Sequence, residues 1–129
     1  MNTRQMGNFG ERIAENYLTN KGYQILDRNY SSKTSKGPLK GEIDIVAKKS
    51  DIVSFIEVKT LRNPAALIAP EEKVNFSKQR KLRITAESWL MKKQIPLDVK
   101  WQIDIVAINF NPKTEKADIS HFENAISYC

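Results

Sequence analysis

Two apolar runs, Ile43 to Lys48 and Ile52 to Lys59, flank the short polar turn Lys49-Ser50-Asp51. Both are rich in β-branched residues, and so short a gap permits only a tight reversal, so they read as a β-hairpin. Side chains alternate along a strand. Glu42 and Asp44 therefore share one face of the first strand, and Glu57 and Lys59 share one face of the second. Ile43, Ile45, Ile56 and Val58 point the other way, into a core. In the natural register Asp44 and Glu57 approach each other across the ladder.

The rest of the chain supplies what must cover this hairpin. Phe9, Ile13, Tyr17 and Leu18 recur at helical spacing, predicting a helix from about Asn8 to Asn20 that Gly22 stops. A β-rich stretch follows from Tyr23 to Tyr30, then a polar loop from Ser31 to Gly41. Thr60 to Ala69 reads as irregular. Pro70 and Glu71-Glu72 suit a helix entry, and Leu82, Ala86, Trp89 and Leu90 form the buried stripe of a helix ending near Lys93. Its other apolar residues, Phe76 and Ile84, lie off that stripe and suggest packing on a second side. Pro96 breaks the helix. A long strand spans Asp98 to Phe110, and Ala117 to Phe122 suits an edge strand. The order helix, strands, helix, strand implies an α/β fold with a central mixed β-sheet flanked by helices.

A length of 129 residues suits a single domain with one core. Lys and Arg outnumber Asp and Glu by 21 to 15, a net charge of +6. That balance favours a polyanionic partner, although it also serves solubility alone. The one cysteine, Cys129, excludes an intrachain disulfide. Met1-Asn2-Thr3-Arg4-Gln5 lacks the apolar core of a signal peptide, and no apolar run is long enough to span a bilayer. The expectation is a cytoplasmic protein without a membrane partner.

Carboxylates held close together repel and stay ionised only with a cation between them. Oxygen ligands at a sheet edge suit Mg²⁺ (or Mn²⁺), which takes one or two protein carboxylates and keeps several waters. Lys59 beside such an ion can orient or deprotonate a water or stabilise phosphoryl charge. Removing Glu57 would then relieve repulsion and hold or raise stability. The same pattern also fits a solvated hairpin with a salt bridge between Lys59 and an acid. Lys33, Lys36 and Lys40 in the loop, with Lys78, Arg80, Lys81 and Arg83 on the second helix, can hold phosphates, or can form a solvated face. Tyr30 and Trp101 suit base stacking or the core. His121 has no ligand partner at useful spacing and reads as surface. Asp104, in the apolar strand, reads as a buried charge supporting the site or as a neighbour of a basic residue from the second helix.

Gly41-Glu42-Ile43-Asp44 followed by Glu57-Val58-Lys59 resembles the PD-(D/E)XK nuclease signature. A wider ordered set resembles the YraN family of bacterial proteins: Gly10-Glu11, Ala14, Leu18, Gly22-Tyr23, Arg28-Asn29-Tyr30, the two hairpin motifs, Lys73 and Asp104. The likeness runs from about Gly7 to Ala107. It implies a restriction-endonuclease-like fold, distantly similar to archaeal Holliday-junction resolvases. It implies Asp44 and Glu57 as metal ligands, Lys59 as the catalytic lysine and Glu11 as a further acid at the metal cluster. Glu42 would be another ligand or a supporting group. Lys73 would join the nucleic-acid contacts. Asn8 and Glu11 also have capping-box spacing, which accounts for Glu11 without a metal. Ile43 stands where the nuclease motif has proline, and Ser31 and Gln102 stand where several relatives carry arginine.

The leading expectation is a metal-dependent endonuclease acting on DNA, including structured or branched DNA, and working as a homodimer if both strands are cut. The alternatives are a nucleic-acid-binding module that keeps the fold without turnover, and an interaction protein whose acids serve a salt-bridge network.

Overall fold

The structure, a computed structural model, describes residues 2–32, 41–61 and 76–126. Helix α1 spans Thr3–Asn20 and α2 spans Phe76–Lys92. The strands are β1 (Gln24–Ser31), β2 (Glu42–Lys49), β3 (Ile52–Leu61), β4 (Trp101–Asn111) and β5 (Lys116–Phe122). They form one sheet in the order β1-β2-β3-β4-β5. β3 and β4 are parallel, and the other neighbouring pairs are antiparallel. This is a mixed α/β arrangement with a helix on each face of the sheet.

Helix α1 begins earlier than its periodicity suggests. Asn2 caps it: the Asn2 side chain accepts from the Gln5 N–H at 2.9 Å, and the Gln5 side chain accepts from the Asn2 N–H at 3.0 Å. Asn2/Gln5 is thus the capping box, and Asn8/Glu11 lies inside the helix. The capping account of Glu11 falls away. At the other end Gly22 takes φ of 95° and the Tyr23 N–H reaches back to the Leu18 carbonyl at 3.0 Å, as a glycine-terminated helix requires.

The hairpin is buried on both sides. Ala14 and Leu18 of α1 pack on Ile45, Ala47, Ile56, Val106 and Ile108. On the opposite face Leu82, Ala86, Trp89 and Leu90 of α2 pack on Val46, Val53, Phe55, Ile103 and Ile105. Ile43 belongs to this second cluster, not with Ile45 and Ile56. Trp89 meets Phe55 edge to face at 5.6 Å and donates its indole N–H to Asp27 at 3.0 Å. Tyr30 is core, its hydroxyl 2.9 Å from Ser88 Oγ, and Trp101 packs edge to face on Phe55, so neither is placed to stack bases. Phe76 is 79% exposed, so the second packing side expected of α2 is not found there.

β3 continues through Thr60 to Leu61, and β4 starts at Trp101, after a turn closed by the Val99 N–H donating to the Pro96 carbonyl at 3.1 Å. The expected helix entry at Pro70 to Glu72 lies outside the described residues.

His121 is not a surface residue. Its Nε2 lies 2.8 Å from Asp104 Oδ2, and its Nδ1 lies 3.2 Å from the Tyr17 hydroxyl. Asp104 is fully buried, and its other oxygen accepts from the Gln102 amide at 3.0 Å and the Asn124 N–H at 2.9 Å. The partner of Asp104 therefore comes from β5, not from α2. Asp104 pairs with Ile56, whose side chain packs toward α1, so it stands on the face away from Glu57.

Candidate metal and phosphate site

Antiparallel pairing of β2 with β3 matches Ile45 to Ile56 and Val46 to Phe55. The pairing ends at Ile45 and Ile56, and Asp44 and Glu57 are the next residues beyond it on the two strands. Both acids line a cleft of about 520 Å³ on the α2 face, together with Gly41, Glu42, Ser77, Lys78, Lys81 and Leu82. Two glycines shape it. A Cβ on Gly41 would stand 2.8 Å from Thr85 Oγ1 and 3.2 Å from the Lys81 carbonyl, so glycine lets β2 enter beside α2. A Cβ on Gly10 would stand 3.1 Å from Thr60 Cβ and collide with Thr60 Oγ1. Glycine there brings α1 hard against the end of β3 and carries the next residue, Glu11, to the acids.

The acids share one electrostatic environment. The Asp44 carboxyl is pushed up to about 7, first by burial, then by the charge of Glu57 and more weakly by Glu11 and Glu42. The Val58 N–H, donating to Asp44 Oδ2 at 2.8 Å, opposes this. Burial and the charge of Glu42 raise the Glu11 carboxyl. Asn29, in the left-handed region at φ 50°, brings a side-chain amide between the two. Oriented with its nitrogen toward them, it donates to Glu11 Oε1 at 2.9 Å and to Glu42 Oε1 at 3.3 Å. Left-handed backbone suits asparagine better than most residues.

Glu57 is the most enclosed of these acids, 8% exposed. Lys78 Nζ lies 2.8 Å from its Oε1 and Lys59 Nζ 4.0 Å. Burial and the neighbouring Lys78 charge lower the Lys59 ammonium, against the pull of Glu57 and Asp44. The salt bridge expected for Lys59 is thus shared with, and led by, Lys78.

The structure brings Glu11, Glu42, Asp44, Glu57, Lys59 and Lys78 together. Arg80 and Arg83 do not line the cleft, and Arg83 faces Glu87 at 3.9 Å. Lys33, Lys36, Lys40 and Lys73 lie outside the described residues. Local spacing had assigned no role to Asn29 or Ser77. For Asn29 the signal was its place on β1, antiparallel to the strand that carries Glu42.

Hard oxygen donors with a raised carboxyl among them suit a divalent cation. Asp44 and Glu57 are the pair that could hold one, rather than a cage of four carboxylates. Among the described residues, the group of three whose ligand atoms lie within 4.8 Å of one another is Asp104, His121 and Glu123 on the other face. There the His121 Nε2 is already engaged by Asp104.

A mixed sheet with a helix on each face, and an acid pair and lysines at one cleft, define the kind of protein. The chain belongs to the uncharacterised protein family UPF0102, whose pattern matches residues 10–108. A UPF0102 protein of Clostridium tetani is 41% identical over 122 residues, 95% of this chain and 93% of the relative. Those of Caldicellulosiruptor saccharolyticus and Dictyoglomus turgidum are 37% and 36% identical, each over 97% of this chain and 99% of the relative. Among the described residues no helix is long and apolar enough to cross a membrane.

Proposed function

We propose that this protein is a metal-dependent endonuclease of the restriction-endonuclease-like class, hydrolysing phosphodiester bonds of DNA. The observation that carries the reading is Asp44 and Glu57 on one face of the hairpin, lining a cleft whose facing wall bears Lys78 and Lys81. Mg²⁺ or Mn²⁺ held by Asp44 and Glu57 would supply Lewis-acid stabilisation of the phosphoryl charge. The Val58 N–H fixes the Asp44 carboxylate at Oδ2. Lys59, its ammonium lowered, releases its proton more readily than a solvated lysine and can accept one from an attacking water. Lys81 and Lys78 contact phosphate oxygens on either side of the scissile bond. Glu11 and Glu42, held by Asn29, maintain the negative potential that retains the cation. Cutting both strands of a duplex would take two copies.

One observation favours a binding module without turnover: Lys78 already answers Glu57 with no ion needed. A cleavage panel separates the two. Single-stranded, duplex and branched DNA and RNA are incubated with Mg²⁺ or Mn²⁺, beside Asp44→Ala. Metal-dependent cleavage lost in Asp44→Ala supports the nuclease. Salt-sensitive binding without cleavage, and without divalent-ion uptake, replaces it with the binding module.

A further inference from the structure

Glu57 presents its carboxylate to two ammonium groups of different origin. Lys59 lies two residues along the same strand, so its backbone cannot move independently of Glu57. Lys78 arrives from the first turn of α2, across the cleft, and its side chain is 40% exposed. A lysine of that kind has a flexible four-carbon stem and room to swing. Yet it makes the shorter contact, 2.8 Å against 4.0 Å.

An ammonium at that distance covers Glu57 Oε1, so a divalent ion bound through that oxygen needs the same space. They also repel. Like charges about 4 Å apart oppose each other strongly at the rim of a protein. We propose that Lys78 is a resident stand-in cation: it occupies Glu57 until a divalent metal ion displaces it, and the displaced ammonium turns to the phosphates of bound nucleic acid. This rests on the metal-site reading above and adds its regulation.

The surroundings support a two-position lysine. Lys78 shares the cleft wall with Ser77 and Lys81, so on leaving Glu57 it stays beside the space a phosphate would fill. The two ligands are thereby coupled. Phosphate that draws Lys78 off Glu57 eases entry of the ion, and the ion, by expelling Lys78, supplies a phosphate contact. Such coupling is reciprocal in affinity. A chain without substrate would hold its metal weakly, which limits idle hydrolysis.

The test uses Mn²⁺ alone, titrated calorimetrically into the wild type, Lys78→Met and Lys78→Arg, with thermal unfolding in chelator and in excess Mn²⁺. Lys78→Met keeps the apolar stem and removes the charge. It should bind Mn²⁺ at least about fivefold more tightly than the wild type. It should melt lower than the wild type in chelator, because Glu57 loses its partner, and the gap should close in Mn²⁺. Lys78→Arg should stay near the wild type. If Lys78→Met does not fold in chelator, Lys78→Gln, a neutral donor to Glu57, carries the same expectation. Adding Lys78→Met to Glu57→Gln should change Mn²⁺ affinity no further. Equal or weaker Mn²⁺ binding by the neutral variants overturns the proposal and leaves the metal site standing. Absence of Mn²⁺ binding in every variant overturns both.

Discussion

Replacing Asp44 by asparagine should stabilise the metal-free protein at neutral pH. The Asp44 carboxyl moves from 3.8 to about 7 on folding. Between those values the folded protein keeps a proton that the unfolded chain has released. Stability is therefore full below pH 3.8, falls as pH rises through the window, and levels off above about 7. Roughly three units at 1.36 kcal/mol each set a ceiling of ~4 kcal/mol. Asp44 is only partly buried, so solvent screening leaves ~2 kcal/mol as the working magnitude. Asparagine suits the test because its amide oxygen can still accept from Val58. Urea unfolding in chelator, from pH 4.5 to 8, should find Asp44→Asn more stable than the wild type at pH 8 by ~2 kcal/mol. The gap should narrow toward pH 4.5. Glu11 is also raised and contributes a parallel slope to both proteins, so the difference between them is the readout. A gap that does not change with pH, or a variant less stable at pH 8, refutes the burial argument.

Gly10→Ala should cost ~2 kcal/mol by driving a methyl into Thr60, with part of the loss recovered by adding Thr60→Ala; thermal melts read both. His121→Ala should cost ~3 kcal/mol, because it strips a buried carboxylate of its closest partner, and urea unfolding at pH 7 checks it. Lys59→Ala should lower turnover while leaving Mn²⁺ affinity within about twofold of wild type, since the lysine acts on water or phosphate; parallel cleavage assays and calorimetry decide.

The hairpin was legible because its turn is short and its apolar residues alternate from Ile45 to Ala47 and from Phe55 to Ile56; the alternation lapses at Ile43, which packs under α2 instead. The two helices were legible from their apolar stripes. What sequence reading missed follows from its locality. Asn2/Gln5 and Asn8/Glu11 have the same spacing, and only the structure shows that the earlier pair caps the helix. His121 looked solitary because its partner lies across a strand pair. The β4–β5 register matches Asn111 to Lys116 and Val106 to His121, two residues from Asp104. Counting back across that turn would have found it. Lys78 was assigned to phosphate from its place in a basic run, but no spacing rule connects it to Glu57. That contact also changes one expectation. Glu57→Ala would remove the Lys78 contact as well as relieve repulsion, so the relief is better sought at Asp44.

The parallel pairing of β3 with β4 has a consequence for the order of assembly. β2 and β3 meet through a tight turn, whereas β4 can join only after the chain has crossed the sheet by way of α2. Local closure is fast and long-range closure slow. We therefore expect a folding nucleus in the hairpin, with Asp44 and Glu57 already side by side and Lys78 still absent. The acids would be crowded most severely at the transition state, before their counter-charge docks. In that case Lys78→Met should speed unfolding and leave the refolding rate nearly unchanged, while Phe55→Ala should slow refolding. A Lys78→Met chevron that shifts only its folding arm would reverse the order, placing the helix in the nucleus and sparing the acids that crowded stage.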